Sequence, residues 1–305
     1  MAVLNTRLQL AHWIAELFDS RLPYFKGARQ LRNALTSLLS PRLRLPQTVS
    51  TRYGFTVEIT SEIDSIDYHL YTRGTYEAGT LSVISHCLNE GDVFIDVGAN
   101  IGLMSLLAAK RVGQSGMVYA FEPDPDTFKL LQNNSALNQF DNVCPVNAGL
   151  GSVQEDRVIY RNRHSNRGMN SFIDRNVGAA EGIEVPVGTL DRFLAEQGVR
   201  TVKMMKIDVE GWELEVLKGA QTLLSGLDSP ILCVEYNTQL AGHEAVYEFI
   251  KAHNEYLIYI LPHGDWHVSR LVRVESLEQM PTVSSFNIFC FLPIHLQSFS
   301  RDLFV

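Results

Sequence analysis

Four carboxylate side chains each lie at or just after the end of a short apolar run: Asp96, Glu122, Asp208 and Glu235. The runs cover residues 93–97, 117–121, 202–207 and 231–234. Short apolar runs bounded by turn formers are typical of buried strands. A single carboxylate in this position commonly caps a helix. Four of them predict one shared site, because parallel strands end at the same edge of a sheet and ligands bind there.

A glycine turn follows the first run and reads Gly-Ala-Asn-Ile-Gly over residues 98–102. It is similar to the dinucleotide fingerprint GxGxxG, whose second glycine lets the backbone approach a pyrophosphate. Asn100 occupies that second position, whereas Gly98 and Gly102 are kept. The turn therefore favours a nucleoside ligand without a pyrophosphate and counts against NAD.

Glu122 lies where the next strand ends and is followed by Pro123. An acid in this place binds ribose hydroxyls in nucleoside-binding sheets. S-adenosylmethionine (SAM) combines such a ribose with an α-amino cation, which Asp96 would face. We therefore expect SAM as the cofactor. The predicted cofactor-binding residues are Glu77, Asp96, Gly98, Asn100, Gly102, Glu122, Pro123 and Asn147.

Methyl transfer from a sulfonium requires an acceptor oxygen that is held in line and loses its proton. The candidate catalytic residues are Asp208, Glu210 and Glu235. Asp208 and Glu210 crowd one strand end, and like charges in such a place raise one pKa. We expect Asp208 to act as the base, Glu210 to begin the next helix, and Lys206 to pair with these acids.

Oxygen ligands at two neighbouring strand ends would also suit Mg²⁺, which can lower the pKa of an acceptor hydroxyl. The candidate ligands are Asp208, Glu235 and Asn237. The alternative is a metal-free site in which the same acids serve as base and hydrogen-bond acceptor.

Two further groups of residues are candidates for contact with the acceptor. Arginines 157, 161, 163 and 167 lie in one inserted segment, predicted to be a hairpin over the site. They form either a solvated face or a site for an anionic acceptor. His164, in the same segment, and the pair His263 and His267 are candidates for lining the acceptor pocket.

The chain has 305 residues, of which 46% are hydrophobic and 20% charged, as is usual for globular proteins. Its net charge of −8 counts against binding nucleic acid through a general positive field. The four cysteines form no CxxC pair and have mostly apolar flanks, which favours reduced thiols in a cytoplasmic protein. No apolar run is long enough for a transmembrane helix, and charges interrupt the N-terminal apolar stretch, so we expect no signal peptide.

The first 45 residues contain seven basic and two acidic residues, with apolar residues at helical spacing. We expect a helical extension over residues 1–52 and a main domain over residues 53–305. The extension is interpreted either as a cap on the main domain or a contact between two copies. The alternative is a basic surface for a membrane or an acidic partner.

Strands alternate with helices from residue 93 onward, which predicts an α/β fold with a mostly parallel sheet. Residues 256–261 and 287–292 are predicted to form the last two strands. Before this core, residues 55–59 alternate as in a half-buried strand, and residues 68–71 suggest another short strand.

Over residues 53–237 the chain resembles the FkbM-type SAM-dependent methyltransferases. The matching stretches are residues 76–77, 91–102, 120–123, 187–191, 205–213 and 216–220. The resemblance implies a Rossmann-like class I methyltransferase sheet with an antiparallel last strand. It also implies SAM as cofactor and methyl transfer mainly to hydroxyl oxygens, often on sugars or polyketide-like metabolites.

The function indicated is therefore O-methylation of a carbohydrate or a small secondary metabolite. One alternative is a methyltransferase acting on protein or nucleic acid, although phosphate contacts need a basic field that this acidic chain lacks. The other is a non-catalytic SAM-binding module that docks through its N-terminal helices.

Overall fold

The computed structural model describes residues 6–161, 167–174, 181–226, 228–240, 242–299 and 303–304. The helices are α1 (Thr6–Glu16), α2 (Ala28–Leu39), α3 (Ser65–Arg73), α4 (Ala78–Cys87), α5 (Leu103–Val112), α6 (Pro125–Leu137), α7 (Leu190–Gln197), α8 (Glu213–Lys218), α9 (Gln221–Leu224), α10 (Glu244–His253) and α11 (Pro293–Leu296). A π-helical turn, Leu17–Arg21, follows α1, and 3-10 turns cover Arg167–Met169 and Leu277–Gln279.

The strands are β1 (Gln47–Ser50), β2 (Thr56–Ile59), β3 (Val93–Val97), β4 (Met117–Phe121), β5 (Val143–Val146), β6 (Gly149–Leu150), β7 (Glu155–Arg161), β8 (Glu181–Gly188), β9 (Met204–Ile207), β10 (Ile231–Asn237), β11 (Leu257–Ile260), β12 (Val272–Val274) and β13 (Ser285–Phe291). The central sheet has the order β12-β11-β13-β10-β9-β3-β4-β5.

The central sheet is mostly parallel, as expected. Strands β5, β4, β3, β9 and β10 pair in parallel, whereas β13 is antiparallel to both of its neighbours, β10 and β11. The predicted antiparallel last strand is confirmed, and it lies inside the sheet. Because the chain leaves β3 toward β5 and returns on the other side at β9, the order reverses between β3 and β9. Ligands bind at such a reversal.

Both faces of the sheet are covered. Phe94 and Ile95 are each 0% exposed, and they belong to separate apolar clusters because successive strand residues point to opposite faces. Phe94 packs in the cluster that contains residues of α4 and α5, and Ile95 in the one that contains residues of α7, α8 and α10. This two-sided burial explains why β3 reads as a continuous apolar run.

The short strand predicted at residues 68–71 is wrong, since these residues lie in α3. Asp64 caps this helix by accepting from the backbone N–H groups of Ile66 and Asp67, and Gly74 ends it with a φ of 66°. An N-cap aspartate and a C-terminal glycine are sequence signals for a helix, and here they decide against the alternation of apolar residues.

The predicted inserted hairpin is confirmed. Strands β7 and β8 pair antiparallel along their whole length, and β6 adds a third, parallel strand to β8. Residues 162–166 and 175–180, which include Arg163 and His164, lie outside the described residues.

The N-terminal helices pack on the rest of the chain. Strand β1 pairs antiparallel with β2, across the boundary expected at residues 52 and 53. The buried Asp19 binds Arg32 and Arg52 through its carboxylate, and its carbonyl accepts from the Val268 N–H at 2.7 Å. In the described part of the chain, no helix has the length and apolarity to cross a bilayer.

Candidate active site

A cleft lies where β3 and β9 end, at the reversal of strand order. Its lining includes Tyr76, Glu77, Asp96, Gly98, Asn100, Lys206, Asp208, Glu210 and Glu235. A smaller pocket shares Gly98, Asn100 and Asp208 with the cleft and adds Glu122, Pro123 and Phe172. The structure thus brings most of the predicted site residues together. The predicted residues outside these two linings are Gly102, Asn147 and Asn237.

Gly98 is required by the approach of two backbone segments. Its φ is +80°, and an added Cβ would lie 1.9 Å from the carbonyl oxygen of Asp208. The structure shows that this glycine makes room for the turn after β9, and its contact with the cofactor stays a prediction. Gly102, with a φ of +94°, similarly leaves space for Leu131.

Asn100 adopts the left-handed conformation that favours glycine, with a φ of 52°. Its N–H donates to Glu122 at 2.9 Å, and its side-chain oxygen accepts from the Ile101 N–H at 2.8 Å. Glu77 and Glu210 also have positive φ values, of 50° and 55°. All three residues line the cleft, and strained backbone of this kind is concentrated at functional sites.

The Glu122 carboxylate lies between the glycine turn and the end of β4. It accepts from the N–H groups of Asn100 at 2.9 Å and Asp124 at 3.0 Å, one on each oxygen. Burial raises its pKa to about 8. Asn147 is exposed and donates to the carbonyls of Glu122 and Pro123 at 2.9 and 3.1 Å, so it positions the strand end that carries Glu122.

Asp96 presents a buried oxygen that is not satisfied within the chain. Ser105 donates to its Oδ2 at 2.6 Å, while Oδ1 has no hydrogen-bond partner among the described residues. Burial raises the pKa of Asp96, against the opposing effects of Lys206 and Ser105. An unsatisfied buried carboxylate oxygen costs free energy, and a cationic ligand in the cleft would supply its missing partner.

Lys206 joins several of these acids. Its Nζ lies 2.9 Å from Asp208 Oδ2, and the side chain is almost fully buried. Burial lowers its pKa, but the carboxylates of Asp208, Asp96 and Glu77 together raise it well above the ordinary value. The ion-pairing role predicted for Lys206 is therefore confirmed.

Asp208, Glu210 and Glu235 form the acidic end of the cleft, with one carboxylate oxygen of each within 4.8 Å of the others. Glu235 lies inside β10 rather than at its end, opposite Asn287 of β13. Ser285 donates to one of its oxygens, and the other has no partner among the described residues. Burial, followed by the charges of Asp208 and Glu210, raises the pKa of Glu235 well above its ordinary value. The crowding of acids predicted at the end of β9 thus raises the pKa of Glu235, which lies on β10.

Glu210 does not begin the following helix. Helix α8 begins at Glu213, whose Oε1 accepts from the N–H groups of Val209 at 3.1 Å and Gly211 at 3.0 Å. The role expected of Glu210 therefore belongs to Glu213, and the side chain of Glu210 is in the acidic cluster instead.

The metal-binding role of Asn237 stays a prediction. Its Oδ1 accepts from the Gln239 N–H at 3.0 Å and so stabilises the turn after β10. Among the acidic side chains that the structure describes, Glu210 lies near enough to Asp208 and Glu235 to share a cation with them.

A family model described as the methyltransferase FkbM domain matches residues 96–258, which is more than half of the chain. The chain belongs to the FkbM methyltransferase family. The match begins at Asp96 and includes Glu122, Lys206, Asp208 and Glu235.

Three relatives of this FkbM-family chain are methyltransferases by name. Methyltransferase sdnD from Sordaria araneosa is 31% identical over 168 residues, covering 44% of this chain and 64% of the relative. Hexuronic acid methyltransferase AglP from Haloferax volcanii is 32% identical over 143 residues, covering 47% and 56%. The 31-O-demethyl-FK506 methyltransferase FkbM from Streptomyces tacrolimicus is 29% identical over 161 residues, covering 44% and 61%. The chain therefore spans less than two thirds of the length of each relative.

Among solved structures, a precorrin-6y C5,15-methyltransferase from Geobacter metallireducens GS-15 is 16% identical, with a TM-score of 0.43. The match covers 77% of this chain and 98% of that one. The α/β fold of the FkbM-family chain is seen in the strand order of its own central sheet.

The arginine cluster predicted over the site is engaged with carboxylates. Arg157 pairs with Glu155 at 2.8 Å and lies over the Trp212 ring. Arg161 pairs with Asp124 and Asp126, and Arg167 with Asp64 and Asp67. These three described arginines of the FkbM-family chain are thus paired within the chain, and the anion-binding alternative for the cluster stays a prediction.

The sequence analysis did not predict a basic surface that lines a second pocket near the site. Arg29, Arg32 and Arg73 line a larger pocket together with His263 and Trp266. His267 is buried, with Nε2 3.5 Å from the Leu22 carbonyl, and the role of either histidine in lining the acceptor pocket stays a prediction. The excess of positive charge in the first 45 residues is the signal that could have indicated this basic surface.

Proposed function

We propose that the chain is a SAM-dependent methyltransferase that methylates a hydroxyl of a carbohydrate or a small secondary metabolite. The observation that carries this proposal is the pair of carboxylates on either side of the glycine turn. Asp96 Oδ1 is buried without a partner, and Glu122 contacts the turn at Asn100. The names of two relatives, which specify a hexuronic acid and an FK506 precursor, support acceptors of this class.

The residues present fit SAM. Asp96 would bind the α-amino cation, since it supplies the unsatisfied oxygen at the cleft. Glu122 would hydrogen-bond the ribose hydroxyls, because each of its oxygens binds only one backbone N–H, and a carboxyl group with a raised pKa can donate as well as accept. Ile159 and Phe172 line the pocket beside Glu122 and offer an apolar wall to the adenine. SAM, when bound, supplies an electrophilic methyl group.

The acidic end of the cleft would handle the acceptor. Asp208 accepts the proton of the acceptor hydroxyl, and Glu235 binds the same hydroxyl from the next strand. Lys206 keeps Asp208 oriented through the ion pair at 2.9 Å. Holding the hydroxyl between two fixed groups lowers the barrier, because the orientation is established before the reaction.

A divalent cation is the second arrangement that this acidic end could support. Asp208, Glu210 and Glu235 offer the hard oxygen ligands that Mg²⁺ prefers. However, Lys206 already places a positive charge beside Asp208. Activity that EDTA abolishes and Mg²⁺ restores would assign the cation. Activity that persists after exhaustive chelation would assign the carboxylates metal-free roles.

The function is tested by incubating the protein with methyl-labelled SAM and a panel of acceptors, followed by mass spectrometry. The panel contains neutral and acidic sugars, hydroxylated small metabolites, bulk tRNA and an unrelated protein. We expect label on a hydroxyl of a sugar or small metabolite. Label on tRNA or protein alone would contradict the acceptor class, and SAM binding without any transfer would favour a non-catalytic module.

A further inference from the structure

A larger pocket opens beside the cleft. Tyr76, Glu77 and Glu235 line both cavities, so the two cavities meet at these residues. One wall of the larger pocket comes from the N-terminal segment and α3. The loop after β11, which includes His263 and Trp266, also lines this pocket.

The first wall contains more guanidinium groups than carboxylates. Its buried acid, Asp19, is already bound by Arg32 and Arg52. Arg73 is 6% exposed, and its Nε is buried without a hydrogen-bond partner among the described residues. Arg29, which is exposed, lines the same pocket.

The other carboxylates of this pocket are near the junction with the cleft. Glu77 and Glu235 belong to both cavities. Asp265 is tied to Glu77 through Asn287, which donates its backbone N–H to Asp265 at 3.2 Å and its amide to Glu77 at 3.3 Å. The pocket therefore has an acidic end next to the reacting groups and a basic wall formed by Arg29, Arg32 and Arg73.

A buried cation without a partner is costly, and the cost is removed when an anion binds. A guanidinium matches carboxylate and phosphate oxygens in a fixed, forked geometry. Contacts with the loop after β11 hold this wall in place. The Arg32 Cζ atom lies 4.7 Å from the centroid of the Trp266 ring, and the stacked rings of Tyr24 and His263 have centroids 4.1 Å apart.

We propose that this pocket binds the acceptor and that the acceptor carries an anionic group, a carboxylate or a phosphate, held by Arg73 with the help of Arg29. The acceptor hydroxyl then points toward Glu235 and Asp208. This inference rests on the proposed function for the hydroxyl end, whereas the anionic end can be tested by binding alone.

The test titrates the full chain with three probes that differ in charge: glucuronate, glucose 6-phosphate and glucose. Tryptophan fluorescence follows binding, since Trp266 lines the pocket. We expect at least one anionic sugar to bind roughly tenfold or more tightly than glucose, given the strength of hydrogen bonds to charged groups. The anion that is preferred distinguishes carboxylate from phosphate.

Arg73→Gln should remove the preference for the anionic sugar, and the exposed Arg29→Gln should reduce it even if Arg73→Gln fails to fold. Arg192→Gln is the matched control, because Arg192 is exposed and pairs with Glu196 on α7. SAM affinity is measured on every sample. Wild-type protein that binds SAM without preferring either anionic sugar overturns this inference and leaves the proposed function standing. Wild-type protein that does not bind SAM overturns the proposed function itself. A preference that survives in both Arg29→Gln and folded Arg73→Gln also overturns the inference.

Discussion

Lys206 Nζ lies 2.9 Å from Asp208 Oδ2 at the end of β9, and both side chains line the cleft. The buried Lys206 ammonium holds the half-buried Asp208 carboxylate in a fixed position. The backbone carbonyl of Asp208 occupies the space that a Cβ at Gly98 would take. The proposed base and the glycine turn are therefore positioned by one another.

Replacement of Asp208 by Asn keeps the shape of the side chain and removes the oxygen proposed to accept the proton. We expect the single-turnover rate of methyl transfer to fall about 10²–10⁴-fold, with SAM affinity nearly unchanged. Rapid-quench measurements with labelled SAM provide the rate, and calorimetry provides the affinity. The exposed Asp141→Asn is the control. Near-wild-type turnover in Asp208→Asn, or loss of SAM binding together with turnover, would rule out the role proposed for Asp208.

Glu213 and Glu210 should differ in their effects on stability. Glu213→Ala leaves the backbone N–H groups of Val209 and Gly211 without their acceptor, which should cost about 1–3 kcal/mol. Glu210→Ala removes one of three clustered carboxylates and leaves the Val209 and Gly211 N–H groups bound to Glu213, so it should cost less than Glu213→Ala. Urea unfolding of the two variants compares them directly. Equal destabilisation, or a larger effect at Glu210, would return the helix-start role to Glu210.

Gly98→Ala tests the close approach between the glycine turn and the turn after β9. The new Cβ would lie 1.9 Å from a backbone oxygen, so β3 and β9 must separate locally. Gly198→Ala is the matched control, because Gly198 has a φ of +67° and a Cβ added there would meet no described atom within 4 Å. The control should lose only about 1 kcal/mol from the left-handed backbone, and Gly98→Ala should lose substantially more or fail to fold. Similar melting temperatures for the two variants would contradict the steric account.

The burial of Glu122 predicts how stability changes with pH. Its pKa rises from the ordinary 4.5 to about 8 in the folded chain. Between these two values the unfolded chain has lost the proton and the folded chain still holds it, so the free energy of unfolding falls as pH rises. The contribution is complete below pH 4.5 and is lost as pH passes 8.

Glu122→Gln removes this titration and should flatten the dependence of stability on pH, measured by urea unfolding at pH 5, 6.5 and 8. Burial also raises the pKa of Glu77 to about 8 and of Asp265 to about 7, so part of the slope should remain. The exposed Glu90→Gln should keep the wild-type slope. A Glu122→Gln variant with the same slope as wild type would show that Glu122 does not hold its proton in the folded state.

Much of the sheet and of the cofactor cleft could be predicted from sequence because both depend on local patterns. Strand β4 begins and ends at the residues expected from its apolar run. The glycine turn and Glu122 lie close together because they follow β3 and β4, two neighbouring parallel strands that end at the same edge of the sheet. Where a pattern was ambiguous, as at residues 68–71, capping residues decided in favour of a helix.

The parts that sequence did not predict depend on contacts between distant segments. No local pattern shows that Asp19 pairs with Arg52, or that Arg73 faces a loop near residue 265. The helix-start role expected of Glu210 belongs to Glu213 because a left-handed residue at Glu210 delays the start of α8. Strand β12 is only three residues long and gives little periodic signal.

The central claim is that the cleft at the end of β3 binds SAM through Asp96 and Glu122. Calorimetric titration of the purified chain with SAM, S-adenosylhomocysteine and NAD tests it most directly. We predict that the first two bind and NAD does not, and that Glu122→Ala weakens SAM binding by about 1–3 kcal/mol, the strength of two hydrogen bonds to the ribose. Absence of SAM binding, binding of NAD, or an unchanged SAM affinity in Glu122→Ala would contradict the claim.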